Sequence, residues 1–185
     1  MEEGEEEEFE VKKFDLLKVP IDHVDVSSFD ATPIIEAMRT MSFSARETAS
    51  AADILAEMLE DPRCTVILAL AGSSSAAGCM RIYADMVRWN MVDAVVATGA
   101  SVVDMDFFEA LGFRHYRGSA ASDDRLLRSL YIDRIYDTFI DEEQLQVCDR
   151  TIKEIADALP PGVYSSRSFI REMGRHLEAL SLIHI

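Results

Sequence analysis

Two short apolar runs in the middle of the chain constrain its fold more strongly than any other feature. Residues 64–70 read CTVILAL and residues 94–98 read AVVAT, and neither run contains a charged side chain. Short, continuous runs rich in β-branched residues are typical of strands that are buried on both faces of a parallel sheet. The two runs begin about 30 residues apart, which is the size of one strand–helix–strand crossover.

The sequence after these runs continues the alternation of predicted strands and helices. A helix is predicted at residues 104–111, closed by Gly112, and a weaker strand is predicted at residues 113–116. Alternating strands and helices indicate an α/β fold, with a parallel sheet and helices on both faces. The last third of the chain is predicted to be mostly helical. Capping residues and apolar stripes place other helix starts near Thr32, Ser44, Ser75, Asp141, and Ser165 or Ser166.

The charge distribution is strongly acidic. The chain has 18 basic and 34 acidic residues, for a net charge of −16. Seven of the acids lie in residues 1–10, which contain no base, so we predict a disordered acidic tail there and a domain over residues 11–180. This balance argues against nucleic acid as a partner, because nucleic-acid surfaces need clustered Lys and Arg. A cationic ligand is compatible with it, although acidic charge most often serves solubility.

Membrane, metal and disulfide functions find no support in the sequence. The longest apolar-leaning run, residues 64–72, is far shorter than the ~20 residues that span a bilayer. The amino terminus is acidic where a signal peptide would be basic, so we expect a cytoplasmic protein without a membrane partner. Three cysteines and four histidines are scattered without a ligand-like spacing, so we expect no metal site.

The loops after the two predicted strands are the first candidate site. Residues 71–78 (AGSSSAAG) and 98–101 (TGAS) consist mainly of small side chains. In an open α/β sheet, ligands bind beyond the carboxyl ends of the strands, where small residues and helix N-termini favour a phosphate. A nucleotide-phosphate cradle is one interpretation. The other is a tight strand-to-helix turn that needs small residues for packing, because neither a G-x-G-x-x-G motif nor a P-loop lysine is present.

Asp104 and Asp106 follow the second loop closely. A carboxylate at this place could hold a ribose hydroxyl or a cationic substrate. The alternative is that both acids lie in the first turn of a helix, where they interact favourably with the helix dipole.

Several motifs together resemble a known family. The most distinctive is NMVD at residues 90–93, just before the second strand. The others are FDAT at 29–32, TVIL at 65–68, Gly78, TGA at 98–100 and FIREMG at 169–174. Over roughly residues 15–178, the chain resembles the amino-terminal half of the deoxyhypusine synthase family, in particular its bacterial and archaeal branches.

The resemblance implies a Rossmann-like fold and a homotetramer with active sites at a dimer interface. It also implies a transferase that uses NAD to oxidise spermidine and then cleaves off an aminobutyl group. In the family, an enzyme lysine carries this group as an imine and passes it to one lysine of a translation-factor precursor. Related members pass it to putrescine, which gives homospermidine.

The resemblance also implies roles for individual residues. The first NAD loop of the family falls on Gly72, Ser73, Ser74, Ser75 and Ala76, and the second falls on Thr98, Gly99 and Ala100. A substrate-binding acid falls on Asp104, where a glutamate is common in the family. Val103 stands where the family has a second acid, which implies altered amine recognition.

The chain differs from the family most in its length, because family members are roughly twice as long. The imine-forming lysine and the tryptophan beside it lie in the half that is absent here. No catalytic lysine is assigned, because none of Lys12, Lys13, Lys18 and Lys153 has a matching context. We therefore expect an incomplete copy of the transferase, with residues 181–185 a non-native tail. Two alternatives are a non-catalytic NAD-binding or subunit-contact module and a generic nucleotide-binding α/β domain.

Overall fold

A computed structural model describes residues 11–180. The predicted acidic tail at residues 1–10 and the predicted non-native tail at 181–185 lie outside the described residues. The chain divides into two compact units: residues 22–102 form one, and residues 11–21 form the other with residues 103–180. Among the described residues, no helix is long and apolar enough to cross a membrane.

Unit 22–102 contains the predicted strand–helix–strand crossover. Its elements are α2 (Thr32–Arg39), α3 (Ser44–Glu60), β1 (Ile67–Leu70), a π-helical turn (Ser75–Cys79), α4 (Met80–Arg88), β2 (Ala94–Ala97) and α5 (Gly99–Ser101). Strands β1 and β2 pair in parallel, from Ile67 opposite Ala94 to Leu70 opposite Ala97. The crossover that was predicted from the two apolar runs is confirmed.

Burial of these strands on both faces was expected, and this expectation is wrong for the described residues. Ile67 is 59% exposed and Val96 is 61% exposed. The sheet of this unit contains only β1 and β2 within residues 11–180. Parallel strands become buried when further strands and helices cover both faces, so two strands leave apolar side chains open.

The helix predicted to start near Ser75 is interrupted. Gly78 has a φ of 89° and lies inside the π-helical turn, which leads into α4 at Met80. Glycine adopts this left-handed conformation without the steric penalty of a side chain, so Gly78 permits the kink. The N–H of Cys79 donates to the carbonyl of Ser74 at 3.3 Å, as the wider turn requires.

The helix predicted to follow Ser44 as its cap begins one residue earlier, at Ser44 itself. Ser44 is the first residue of α3, and Phe43 occupies the N-cap with a φ of 57° and without a side-chain hydrogen bond. An ion pair between Arg39 of α2 and Asp53 of α3 links the two helices. The ion pair lies in the middle of α3, and the predicted serine cap at its start is not formed.

The other unit contains an antiparallel sheet. Its elements are α1 (Lys13–Leu16), a second π-helical turn (Val102–Phe107), α6 (Phe108–Ala110), β3 (His115–Arg117), α7 (Asp124–Ser129), β4 (Ile132–Ile135), β5 (Thr138–Asp141), α8 (Glu142–Ala158) and α9 (Ser166–Ala179). The strand order is β3-β5-β4, and both pairings are antiparallel.

The parallel sheet was expected to continue into the weak strand at residues 113–116, and this expectation is wrong. β3 pairs antiparallel with β5, its His115 standing opposite Ile140. The β4–β5 hairpin was not predicted, because its turn residue Tyr136 takes a φ of 55° without the glycine or asparagine that usually marks such a turn. The described chain therefore has a mixed α/β fold with a two-stranded parallel sheet and a three-stranded antiparallel one.

The helix starts in the carboxyl-terminal third follow the predicted caps. The carboxylate of Asp141 accepts the N–H of Glu143 at 3.0 Å, at the start of α8. The hydroxyl of Ser165 accepts the N–H of Ser168 at 3.2 Å, at the start of α9. These side chains satisfy backbone donors that have no partner within a helix, which is why the local sequence predicted them correctly.

Candidate functional site

The two small-residue loops lie side by side in unit 22–102. Parallel pairing with Leu70 opposite Ala97 makes both strands end at the same edge of the sheet. A Cβ added to Gly72 would lie 3.4 Å from Oγ1 of Thr98 and 3.5 Å from Cβ of Ala100. The backbone of the first loop therefore closely approaches the second. The structure brings these predicted cofactor residues together, and their role as ligands stays a prediction.

The first loop has a defined, turn-like conformation. Ser73 has a φ of 69°, in the left-handed region that non-glycine residues rarely adopt. The hydroxyl of Ser74 donates to the carbonyl of Ala71 at 2.9 Å, and the N–H of Ala77 donates to the carbonyl of Ser73 at 3.1 Å. These hydrogen bonds hold the loop in the conformation that leads into the π-helical turn.

Ser75 is an unusual residue of the first loop, because its side chain is buried. Only 1% of it is exposed, and its neighbour Ala76 is 2% exposed. The hydroxyl oxygen of Ser75 is buried and has no hydrogen-bond partner among residues 11–180. Buried hydroxyls are nearly always hydrogen-bonded, because an unpaired polar group loses its interaction with water without compensation. The described residues therefore do not supply a hydrogen-bond partner for this hydroxyl.

The second loop combines a capped helix start with open space. Oγ1 of Thr98 accepts the N–H of Ser101 at 3.4 Å and caps α5. A Cβ added to Gly99 would meet no atom of the described chain within 4 Å. A ligand can therefore approach the backbone at Gly99 directly. The second loop thus leaves its backbone open at Gly99.

Asp104 belongs to the unit formed by residues 11–21 and 103–180. It lies on the π-helical turn Val102–Phe107, which directly follows α5. Asp104 is thus in the second turn of a helical stretch that begins at Gly99, where the dipole of the helix N-terminus has little effect. This position weakens the interpretation of Asp104 as an acid in the first turn of a helix. The interpretation of Asp104 as a ligand-binding carboxylate remains.

The neighbours of Asp104 come from α8 and were missed by sequence reasoning. Burial and the charge of Asp149 raise the pKa of the Asp104 carboxyl. Cys148 is fully buried, and its thiol donates to the carbonyl of Val103 at 3.4 Å, which ties α8 to the π-helical turn. Burial, Asp149 and Asp104 raise the pKa of Cys148 to about 12. No local pattern marks Asp149 as a partner of Asp104, because they are distant in sequence.

Possible metal ligands and two of the lysines can be located within residues 11–180. Residues 11–180 contain no group of three or more His, Cys, Asp or Glu side chains that could hold a metal ion. Nζ of Lys13 lies 2.6 Å from Oδ1 of Asp141 and 2.8 Å from Oε2 of Glu143. Lys153 forms an ion pair with Asp157. Both amines are thus engaged in ion pairs.

Comparison with known proteins places the chain in a family. The family model described as deoxyhypusine synthase matches residues 33–184. A deoxyhypusine synthase-like protein of Coxiella burnetii is 64% identical over 162 residues, which cover 88% of this chain and 46% of that protein. The protein of the same name from Caulobacter vibrioides is 61% identical over 166 residues, covering 90% of this chain and 45% of the relative.

A more distant relative has an archaeal source. A probable deoxyhypusine synthase 2 of Methanosarcina acetivorans is 34% identical over 154 residues, covering 83% of this chain and 44% of that protein. The chain spans about half the length of the curated relatives that it matches. The matched residues include both loops of the site and the π-helical turn that carries Asp104, and the chain belongs to the deoxyhypusine synthase family.

Proposed function

We propose that the full-length protein transfers an aminobutyl group from spermidine to an amine acceptor in an NAD-dependent reaction. The acceptor is either a lysine of a translation-factor precursor or putrescine, which would give homospermidine. Family membership supports the transferase class. Because the chain spans about half of each relative, we propose that it supplies the cofactor loops and one substrate carboxylate, and that the catalytic lysine lies in the other half.

The observation that carries this proposal is the unpaired hydroxyl of Ser75. It is buried beside a loop whose backbone at Gly72 approaches Thr98 and Ala100. A purely structural strand-to-helix turn gains nothing from such a hydroxyl, because the unpaired group costs about 1–3 kcal/mol. Because Ser75 is 1% exposed, a phosphate oxygen or a ribose hydroxyl would pair with its hydroxyl after the loop shifts on binding. The residues of both loops therefore fit NAD better than they fit a packing role alone.

Each part of the site has its own role in the proposed reaction. When bound, NAD supplies the acceptor for a hydride from the carbon next to a spermidine nitrogen. The small residues Ser73 to Ala76 and Thr98 to Ala100 let its phosphates approach the backbone closely. The Asp104 carboxylate pairs with an ammonium group of the polyamine, and its partly buried position strengthens the pairing. The substitution of Val103 for a second acid leaves one carboxylate fewer on this turn.

The exposed parallel strands support a larger fold in the complete protein. Ile67 and Val96 are apolar side chains on β1 and β2 that water reaches in this structure. In a Rossmann-like sheet, the helices that connect further parallel strands would cover them. A homotetramer in the cytoplasm remains the proposed assembly and location, on the basis of the family resemblance.

Titration of the chain with NAD, followed by calorimetry, tests the cofactor site. The variant Gly72→Ala places a methyl group at ordinary contact distance from Thr98 and Ala100, so it folds but narrows the gap between the loops. We expect the NAD affinity to fall about tenfold, which corresponds to about 1.4 kcal/mol. The matched control is Gly174→Ala in α9, where an added Cβ meets no described atom within 4 Å.

The results of these experiments distinguish an NAD-dependent transferase from a non-catalytic NAD-binding module. Equal NAD affinity of both variants and the parent, or no NAD binding at all, would reject the cofactor site. If NAD binds, the full-length protein is treated with spermidine and borohydride. A trapped covalent adduct supports the transferase, whereas cofactor binding without an adduct supports the non-catalytic module.

A further inference from the structure

A buried polar cluster lies next to the turn that carries Asp104. His115 of β3 is 0% exposed, and its neighbour Glu109 of α6 is 6% exposed. Nδ1 of His115 forms a hydrogen bond with Oε1 of Glu109, and Nε2 lies 3.1 Å from Sδ of Met105. A thioether sulfur only accepts hydrogen bonds, so Met105 can accept from Nε2 in the tautomer that carries its proton there. One imidazole thus contacts two successive helical segments.

The two partners of His115 belong to the same helical stretch as Asp104. Met105 is the next residue along the π-helical turn, and Glu109 lies in α6, which follows directly. A π-helical turn has wider hydrogen bonding than an α-helix and is rarely stable by itself. Contacts from outside the turn are therefore needed to hold it in place.

His115 is well suited to supply such contacts, because the antiparallel sheet fixes its backbone. It stands opposite Ile140 in the β3–β5 ladder. Its carbonyl also accepts the N–H of Ile21 at 2.8 Å. The imidazole ring packs against Phe108 with a centroid distance of 5.1 Å and a tilt of 52°. The β3–β5 ladder and the ring of Phe108 in α6 thus both hold the imidazole in place.

We infer that His115 is a positioning residue for Asp104: by binding Met105 and Glu109, it fixes the π-helical turn so that the Asp104 carboxylate faces its substrate. This inference rests on the proposed role of Asp104 in amine binding. His115 itself is buried and is not expected to touch the substrate. Its effect passes through Met105, the direct neighbour of Asp104 in the chain.

The environment of Asp104 provides a readout that requires no ligand. Burial and the charge of Asp149 hold the pKa of the Asp104 carboxyl above its ordinary value. A turn that loses its anchor lets Asp104 move toward water and away from α8. The titration midpoint of this carboxyl, measured by carbon NMR, then falls toward the ordinary value.

The main test variant is Met105→Leu, which removes the sulfur acceptor and nearly conserves the side-chain volume. The matched control is Met173→Leu in α9, because Met173 is 3% exposed and Met105 is 5% exposed. We expect the midpoint of Asp104 to fall in Met105→Leu and to stay unchanged in Met173→Leu. An unchanged midpoint in Met105→Leu, or an equal fall in both variants, would overturn the inference.

A second pair of variants tests which imidazole nitrogen matters. The amide nitrogen of glutamine can take the place of Nε2, and that of asparagine can take the place of Nδ1. We expect His115→Gln to keep the midpoint of Asp104 closer to that of the parent than His115→Asn does. The reverse order would contradict the inference. A failure of the chain to bind NAD or spermidine would affect the proposed function and leave these titrations unchanged.

Discussion

Asp93 and Val66 pair at the entrance to the parallel strands through two hydrogen bonds. The N–H of Val66 donates to Oδ2 of Asp93 at 2.8 Å, and the N–H of Asp93 donates to the carbonyl of Val66 at 2.9 Å. The pairing of β1 and β2 starts at the next residues, Ile67 and Ala94. The aspartate of the NMVD motif therefore sets the register that brings both loops to the same edge of the sheet.

Replacement of Asp93 by alanine should destabilise unit 22–102. The variant leaves the N–H of Val66 without its partly buried acceptor, which costs about 1–2 kcal/mol. Urea unfolding measures the loss. Asp93→Asn is the control, because its amide oxygen can still accept the hydrogen bond and should recover most of the lost free energy. Equal stability of Asp93→Ala and the parent would show that the side chain does not set the register.

The variant Ser75→Ala should separate ligand binding from stability. Removal of an unpaired buried hydroxyl relieves its desolvation cost, so the free energy of unfolding should stay equal or rise by up to about 1 kcal/mol. The NAD affinity should fall by about tenfold, because the ligand loses its hydrogen-bond partner. Denaturation and calorimetry measure the two quantities. A clear loss of stability would show that Ser75 has a partner within the protein.

Gly118 should not tolerate a side chain. A Cβ at this position would lie 2.4 Å from Cε1 of Phe139, a core residue that is 2% exposed. Because the ring is packed against Leu127 and Ile132, it cannot move without strain. We expect Gly118→Ala to lose about 3 kcal/mol. Thermal unfolding measures this loss against Gly174→Ala, and equal melting temperatures would show that the ring can shift freely.

Cys148 should make the stability of its unit depend on alkaline pH. Burial, Asp149 and Asp104 raise the pKa of its thiol from the ordinary 9.0 to about 12. Between these values the unfolded thiol loses its proton while the folded thiol keeps it, so stability is full below pH 9.0 and falls as the pH rises toward 12. Comparison of the parent with Cys148→Ala over this range should show a smaller slope in the variant.

Thiol labelling provides an independent check on the same residue. Only the thiolate reacts readily, so Cys148 should resist iodoacetamide in the folded protein, whereas the half-buried Cys64 and Cys79 react first. Addition of urea should bring Cys148 to the same rate as the other two. Labelling of Cys148 at the rate of Cys64 without denaturant would contradict its burial.

Local signals in the sequence predicted the elements whose partners are close in the chain. Asp141 and Ser165 cap helices because each side chain reaches a backbone N–H two or three residues further on. Gly112 closes the helical stretch at residues 99–110 with a φ of 94°, which a glycine accepts without strain. The two apolar runs predicted β1 and β2, and the loops after them predicted the place of the candidate site.

Only the tertiary structure decided which distant segments pair. β3 reads as one more strand of a parallel sheet, yet it joins β5 in an antiparallel ladder, because pairing depends on residues far along the chain. The approach of Gly72 to Thr98, the unpaired hydroxyl of Ser75 and the contact of His115 with Met105 are equally invisible in a linear pattern. The sequence by itself therefore determined the caps of α8 and α9, the crossover and the family. The fold alone decided the sheet pairings and the environment of each site residue, because these depend on packing between segments that local propensities do not encode.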